Sequence, residues 1–303
     1  MDAEYQKIIS WVAKRVSSGR CILFLGSAIH APSPPGCDYC YEKDECPPIG
    51  DQLSLFLATK CDYPFHDRDN LQRVSWYHEV KNKFKIPLVD DIRTAVHDNR
   101  RPSSVLRGLV RLRFPIVITT NYDQLYEQAL DAIAQESGLP AANYDKSIYA
   151  RNDPSVPYRI RTRDCAQNPS PDRPFVLKIH GDIDAPDSIV ITDEDYIQFV
   201  LRMRDKHPFH PLGKNLLAKL VEWPTLYIGY SLQDYNLRLL FRSLRIKLGP
   251  GQVQPNYSID LQPDVLIRDA WENQKRYIKF VQKNLWDFVP DLYFAVTGSK
   301  MPI

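Results

Sequence analysis

Apolar positions mark out the elements before any chemistry is considered. Ile8, Ile9, Trp11, Val12 and Val16 recur at helical spacing, which predicts an amphipathic helix ended by Ser17-Ser18-Gly19. Cys21-Ile22-Leu23-Phe24-Leu25 then runs without a polar residue, as suits a short strand buried on both faces. Residues 31–50 are rich in proline and polar side chains and read as a structured loop. From 52 to about 113 the spacing predicts consecutive helices, LQRVSWYHEVKNKF and SSVLRGLVRL among them. A second strand over 115–119 feeds TTNYDQLYEQALDAIAQ, helical from near Asp123. Residues 138–173 carry many prolines and predict loops with one short strand. Strands follow over 175–179 and 188–191, the latter ending in Thr192-Asp193-Glu194, a capping signature for a helix over DYIQFVLRMR. A strand at 225–228, a helix over YNLRLLFRSLRIK, a strand at 256–260 and a long amphipathic helix near 265–284 complete the pattern.

Strand followed by helix recurs, with small or polar residues at the strand ends. This predicts an α/β fold, a Rossmann-like doubly wound parallel sheet, with ligands in the crevice beyond the carboxyl ends of the strands. No repeat, low-complexity tract or linker interrupts the chain, so residues 1–303 are expected to form a single domain. The helical run of about 50–113 is read as an inserted helical module. Such an insertion accounts for 303 residues where a domain typically has roughly 100–200.

Composition narrows the class. With 44% hydrophobic and 25% charged residues, the chain can bury a sizeable core, which excludes disordered and fibrous proteins. No apolar run approaches the roughly 18–20 residues of a membrane span, and the charged N-terminus is wrong for a signal peptide. Thirty-nine basic against thirty-seven acidic residues leave no bulk drive toward nucleic acid. Six cysteines without a secretory signal predict reduced thiols in a cytoplasm.

Four strand ends carry the candidate chemistry: FLGSAIH at 24–30, ITTNYDQLYE at 118–127, LKIHGD at 177–182 and YIGYSLQDYNLR at 227–238. Each has an ordinary structural account. Gly26-Ser27-Ala28 suits any strand-to-loop turn, Asn121 or Asp123 would cap a helix for about 1 kcal/mol, and His180 could be a bonded core histidine. An amide, a carboxylate and an imidazole converging on the ends of one sheet favour a ligand crevice over three separate structural roles.

The set Gly-Ser-Ala at 26–28, Thr-Thr-Asn-Tyr-Asp at 119–123, Lys-Ile-His-Gly-Asp at 178–182 and the GYSLQDYNLR segment at 229–238 resembles the SIR2-like (sirtuin-related) family. The branch it is most similar to is that of bacterial NAD-cleaving proteins of anti-phage defence, and the similarity runs from about 20 to 285. The resemblance implies that Gly26, Ser27 and Ala28 form the turn that meets the NAD+ phosphates. By the same resemblance, Asn121 positions water or ribose, Asp123 contacts the nicotinamide amide, and His180 acts as general base toward the ribose hydroxyls. Gly229, Tyr230 and Ser231 hold the adenosine half, while Asp234 and Asn236 are capping positions. Neither Asn121 nor His180 is expected to fill the core. Ala28 replaces a usual glycine, and His30 stands where a serine is usual and is read as exposed loop ahead of a phosphate contact.

The activity implied is that of an NAD+ glycohydrolase releasing nicotinamide and ADP-ribose, with NAD+ as substrate and NAD depletion during infection as the role. A deacylase or ADP-ribosyltransferase is the first alternative, and a non-catalytic NAD or ADP-ribose sensor the second. The two-knuckle zinc ribbon of deacylating sirtuins has no counterpart, since no cysteine lies between His180 and Gly229. A structural zinc on Cys37, Cys40, Cys46 and Cys61 is weighed and not favoured, because one Cys-x-x-Cys pair lacks a second. No metal is expected. The loop after the Gly26 turn is expected to lie near the phosphates as a lid. The basic clusters at Arg151, Arg159, Arg161 and Arg163, and at Arg238, Arg242, Arg245 and Lys247, are read as solvated or oligomer faces, with no nucleic-acid partner. No segment reads as a sensor, so control through a homo-oligomer or a separate regulatory protein is expected.

Overall fold

Continuous apolar strands need cover on both faces, and the sheet receives it. The structure, a computed structural model, describes residues 3–148, 168–204, 214–230, 232, 254–272 and 278–303. In chain order the elements are α1 (Ala3–Ser17), β1 (Ile22–Leu25), a 3₁₀ turn (Ser27–His30), α2 (Gly50–Lys60), α3 (Leu71–Asn82), α4 (Ile86–Val96) and α5 (Ser104–Arg111). Then come β2 (Ile116–Thr119), α6 (Leu125–Glu136), β3 (Asp145–Ile148), β4 (Phe175–Lys178), α7 (Asp193–Arg204), α8 (Lys214–Glu222) and β5 (Thr225–Ile228). The last are β6 (Asn256–Ile259), α9 (Val265–Glu272), β7 (Ile278–Val281) and α10 (Leu285–Thr297).

The seven strands form one parallel sheet in the order β3-β4-β2-β1-β5-β6-β7. From β1 the chain adds β2, places β3 at the edge and fills the gap with β4, then returns to place β5 on the other side of β1. The strand order therefore reverses around β1, the position where open α/β sheets hold their ligands. Alternation along the strands divides the core. Leu23, Leu25, Val117, Val176, Leu226 and Ile228 face a layer that includes Ile9 and Val12 of α1, Leu106 and Leu109 of α5, and Phe288 and Leu292 of α10. Phe24, Ile118, Leu177 and Tyr227 face the opposite layer with Phe199, Leu216 and Trp271. Helices α2, α3 and α4 gather round their own core of Leu57, Val74, Leu88 and Ile92, which also takes in Tyr122, Ile189 and Ile191.

Two expectations about elements are corrected. Residues 188–191 are not a strand. Ile189, Val190 and Ile191 are fully buried because they wedge between two cores, Val190 against the sheet and its neighbours against the helical cluster. Their backbone has no place in the ladder, since β4 already pairs with β2 and β3 on its two edges. The segment over 265–284 is not one helix either. It holds α9 and then β7, whose Ile278 and Val281 are buried while Lys279 is exposed. The helix expected over YNLRLLFRSLRIK lies outside the described residues, as do Ser231, Asp234, Asn236 and both basic clusters. Among the described residues no helix is long and apolar enough to cross a membrane.

Candidate active site

Parallel register brings the strand ends flush. Leu25 of β1 lies beside Thr119 of β2 and Ile228 of β5, and Thr119 lies beside Lys178 of β4. The next one or two residues of each strand therefore leave the sheet along a common edge: Gly26, Asn121, His180 and Gly229. Asn121, His180 and Gly229 line a cavity of about 330 Å³ together with Ser27, Ala28, Asp123 and Tyr230, with Leu53, Leu71 and Val96 of the helical cluster forming the facing wall. Of the residues assigned to the site from the sequence, Ser27, Ala28, Asn121, Asp123, His180, Gly229 and Tyr230 thus border one space; Gly26 sits behind the turn and does not line it, and Ser231 lies outside the described residues. Pro47, Pro48 and Ile49, at the end of the loop after His30, border it too.

Two turns form the part of the cavity nearest β1. Ala28 N–H donates to Gly229 O at 3.0 Å, which ties the β1 turn to the β5 turn backbone to backbone, while Ile29 N–H donates to Gly26 O at 3.1 Å and closes the β1 turn on itself. Ala28 is accommodated in the 3₁₀ turn without displacing this contact.

His30 is the main correction at the site. It is 2% exposed, not a surface loop residue. Its Nε2 lies 3.2 Å from Asp123 Oδ2 and 3.2 Å from Asn121 Nδ2. Asn121 Nδ2 also donates to Gly26 O at 3.4 Å, and its backbone N–H donates to Thr119 Oγ1. Asn121 Oδ1 is buried and has no hydrogen-bond partner among the described residues. An orphaned buried acceptor costs roughly 1–3 kcal/mol unless water or a ligand meets it, so the cavity is suited to a donor at this point.

Asp123 is 6% exposed, and its Oδ1 accepts from Leu125 N–H at 2.9 Å at the start of α6. Burial by itself would raise this carboxyl. The charge and hydrogen bond of His30, then Lys178 and the Leu125 N–H, outweigh that and hold it at about 2. The carboxylate is thus kept ionised beneath the cavity.

Below it lies a charge network that sequence reasoning missed. Lys178 is 0% exposed; its Nζ donates to the Asp123 backbone carbonyl and sits 3.2 Å from Asp182 Oδ2 and 3.5 Å from Glu127 Oε1. Lys146 of β3 approaches the same two carboxylates at 3.1 and 3.6 Å. Burial would raise the Asp182 carboxyl, but Lys178 and its other partners hold it below the usual range. The available signal was a lone lysine inside the apolar run FVLKI, since a lysine is almost never fully buried unless paired.

His180 is 3% exposed and meets Tyr196 and Phe199 edge to face, with ring centres 5.4 and 5.3 Å away. It therefore does fill space in the core, contrary to expectation. Its carbonyl accepts from Val190 N–H at 3.0 Å, which shows why the apolar segment 189–191 is there: it backs the histidine. Lys85 Nζ grips the Ile189 carbonyl at 2.7 Å and Asp195 Oδ2 at 2.5 Å. Arg93 Nη2 likewise holds the Ile183 carbonyl at 2.9 Å and Asp184 Oδ1 at 2.8 Å. Two cations of the helical cluster thus clamp the segment that carries His180. Cys37, Cys40, Cys46 and Cys61 are free thiols, and no group of three or more metal-ligating side chains occurs among the described residues.

The profile of the SIR2-like domain matches residues 115–284, more than half of the chain and all of its strand ends except that of β1. The chain belongs to the SIR2-like family. It is similar to the NAD(+) hydrolase ThsA of Acinetobacter baumannii (strain 532279), at 26% identity over 251 residues, 83% of this chain and 44% of that protein. It is also similar to the NAD(+) hydrolase ThsA of Enterococcus faecium, at 28% over 174 residues, 56% of this chain and 31% of that protein. Defense-associated sirtuin 2 of Bacillus subtilis is 29% identical over 191 residues, 59% of this chain and 16% of that protein. The chain spans less than half the length of each of these relatives. As a SIR2-like domain, its cavity at the reversal of strand order is where the family's chemistry is to be sought.

Proposed function

We propose that this SIR2-like protein is an NAD+ glycohydrolase. The observation that carries the reading is that Asn121, with its Oδ1 uncommitted, and His180 border one cavity beyond the Gly26 and Gly229 turns. The names of the ThsA relatives support the same chemistry. In the reaction the bond between ribose C1′ and the nicotinamide nitrogen breaks, and its electron pair leaves with nicotinamide as a neutral pyridine. A water oxygen then bonds to C1′ and gives up a proton, completing ADP-ribose.

Such a leaving group needs no strong acid. What remains for the protein is to position the sugar and water, and to stabilise positive charge growing on the ribose. Asn121 Oδ1 is suited to accept a hydrogen bond from the attacking water or a ribose hydroxyl, and His180 to take a proton from a ribose hydroxyl. The Asp123 carboxylate supplies negative charge on the same side of the cavity. The Gly26 and Gly229 turns, with Ser27 and Tyr230, are assigned to the phosphates and adenosine half. The role proposed is NAD+ depletion in defence, in keeping with the name of the Bacillus subtilis relative. Control by self-association or a regulatory partner in the cytoplasm completes the proposal.

The test is incubation of purified protein with NAD+, followed by chromatography and mass spectrometry. Nicotinamide and free ADP-ribose appearing in equal amounts is the expected result. ADP-ribose attached to protein, or transfer to an acyl group, would assign the site to a transferase or deacylase. Retained NAD+ binding without turnover would leave a sensor.

A further inference from the structure

We propose that His30 is a positioning residue for this site: its buried ring, anchored to Asp123 through Nε2–H, walls one side of the Asn121 amide and limits how far that amide can swing. The proposal rests on the NAD+-cleaving reading for its kinetic consequence, but its geometry stands independently. Asp123 is an ionised carboxylate and can only accept, so the 3.2 Å contact of its Oδ2 requires a proton on His30 Nε2. That nitrogen has one proton and gives it to the carboxylate. The Asn121 amide then packs against the occupied Nε2 at 3.2 Å and hydrogen-bonds instead to the Gly26 carbonyl.

The Gly26 carbonyl, which can only accept, keeps Nδ2 on the protein side, and the His30 ring bounds the space in which the amide can turn. Oδ1 is the end left without a protein partner among the described residues. His30 can serve as a wall because it is rigid: it closes the 3₁₀ turn Ser27–His30, is buried, and is anchored by Asp123, which is anchored in turn by Leu125 N–H. A shorter side chain at position 30 would leave both Asp123 Oδ2 and Asn121 Nδ2 without this neighbour. A free Asn121 amide would then sample rotamers that no longer present Oδ1, and misplacement on the scale of 1 Å costs about 10²-fold in rate. His30 itself touches no reacting atom in this account.

The experiment compares His30→Gln, His30→Asn and His30→Ala with the wild type. Glutamine places an amide nitrogen near the Nε2 position; asparagine reaches only the Nδ1 position. His30→Ala and His30→Asn are expected to lower kcat for nicotinamide release by about 10- to 100-fold, with KM within about threefold, and His30→Gln to restore most of it. Melting temperatures of the Gln and Asn variants should agree, separating positioning from folding. Wild-type kcat in His30→Ala, or glutamine no better than asparagine, overturns the proposal. Histidine-selective ¹⁵N spectra of the wild type give a readout that needs neither variants nor turnover. A proton on His30 Nε2 is expected, and a bare Nε2 would sink the idea. Should the wild type release no nicotinamide, the glycohydrolase reading fails, while the spectra still decide the His30–Asp123 link.

Discussion

Gly26 and Gly229 stand back to back, closer than any other residue pair would allow. A Cβ on Gly26 would fall 2.4 Å from the Gly229 carbonyl oxygen, and one on Gly229 would fall 2.2 Å from the Ile29 nitrogen. Gly229 also has φ +70°, in the left-handed region. The nearest obstructing atom is backbone on both sides, and the Tyr230 ring crowds Gly26 at 2.6 Å as well, so neither turn can yield cheaply. Gly229→Ala is expected to cost about 2 kcal/mol or more, combining strain with separation of the turns. Gly26→Ala should cost a comparable amount through separation alone. Chemical denaturation of both variants checks this, and a loss below about 0.5 kcal/mol, the range of neutral surface changes, would mean the turns part freely.

Lys178 is the next test of how the site is supported. Lys178→Met keeps the volume but leaves Glu127 and Asp182 facing each other with only Lys146, which is partly exposed, to balance them. Removing one partner of a buried ion pair typically costs 3–5 kcal/mol, so a loss of about 3 kcal/mol is expected. Lys146→Met, at the rim of the same network, should cost about 1 kcal/mol or less. Equal losses in the two variants would show that the buried position of Lys178 makes no difference.

What the sequence disclosed was the set of strand ends, because a buried parallel strand writes itself as an apolar run and its terminus as a sudden glycine or polar residue. β1, β2, β4 and β5 were legible in that way, and so was the crevice. His30 was not, since a histidine past a small-residue turn carries no periodicity. Its burial comes from Asn121 and Asp123, some ninety residues away, reached only across the β1–β2 ladder. The 188–191 segment misled for a physical reason: apolar cover on two sides looks the same whether or not the backbone has a sheet neighbour. β7 was hidden by its length, since four residues with Lys279 exposed match a helix face as well as an edge strand.

The Asp123 carboxyl gives a pH dependence with a definite sign. Its folded value is about 2 against 3.8 for the free side chain. A depressed carboxyl contributes stability that is full above the unfolded value and is lost as pH falls through the folded one. A shift of this size corresponds to about 2 kcal/mol. Subtracting the stability of Asp123→Asn from that of the wild type isolates this group from other carboxylates. The difference should be constant from about pH 7 to 5 and shrink between roughly pH 4 and 2. A difference that does not narrow on acidification would contradict an ionised Asp123 carboxylate in the folded protein.

The last prediction concerns the two residues assigned to the chemistry, which differ in how safely they can be removed. Asn121 is half-buried, and among the described residues its side chain hydrogen-bonds to the Gly26 carbonyl and packs against His30, so Asn121→Ala should fold with little loss. His180 lies edge-on to Tyr196 and Phe199, and truncation to alanine would leave a void there. His180→Ala is therefore expected to cost about 1–3 kcal/mol in stability as well as activity. His180→Gln fills more of the space while supplying no imidazole, and it separates the two effects. Nicotinamide release should fall by roughly 10²-fold or more in Asn121→Ala and in His180→Gln, as for loss of a positioned acid–base or water-orienting group. Because Asn121 would act on the water and His180 on a ribose hydroxyl, the double variant should lose less than the product of the single losses if both serve one transition state. Near wild-type turnover in both single variants, with melting temperatures unchanged, would move the chemistry to other residues of the cavity even if the protein proves to cleave NAD+.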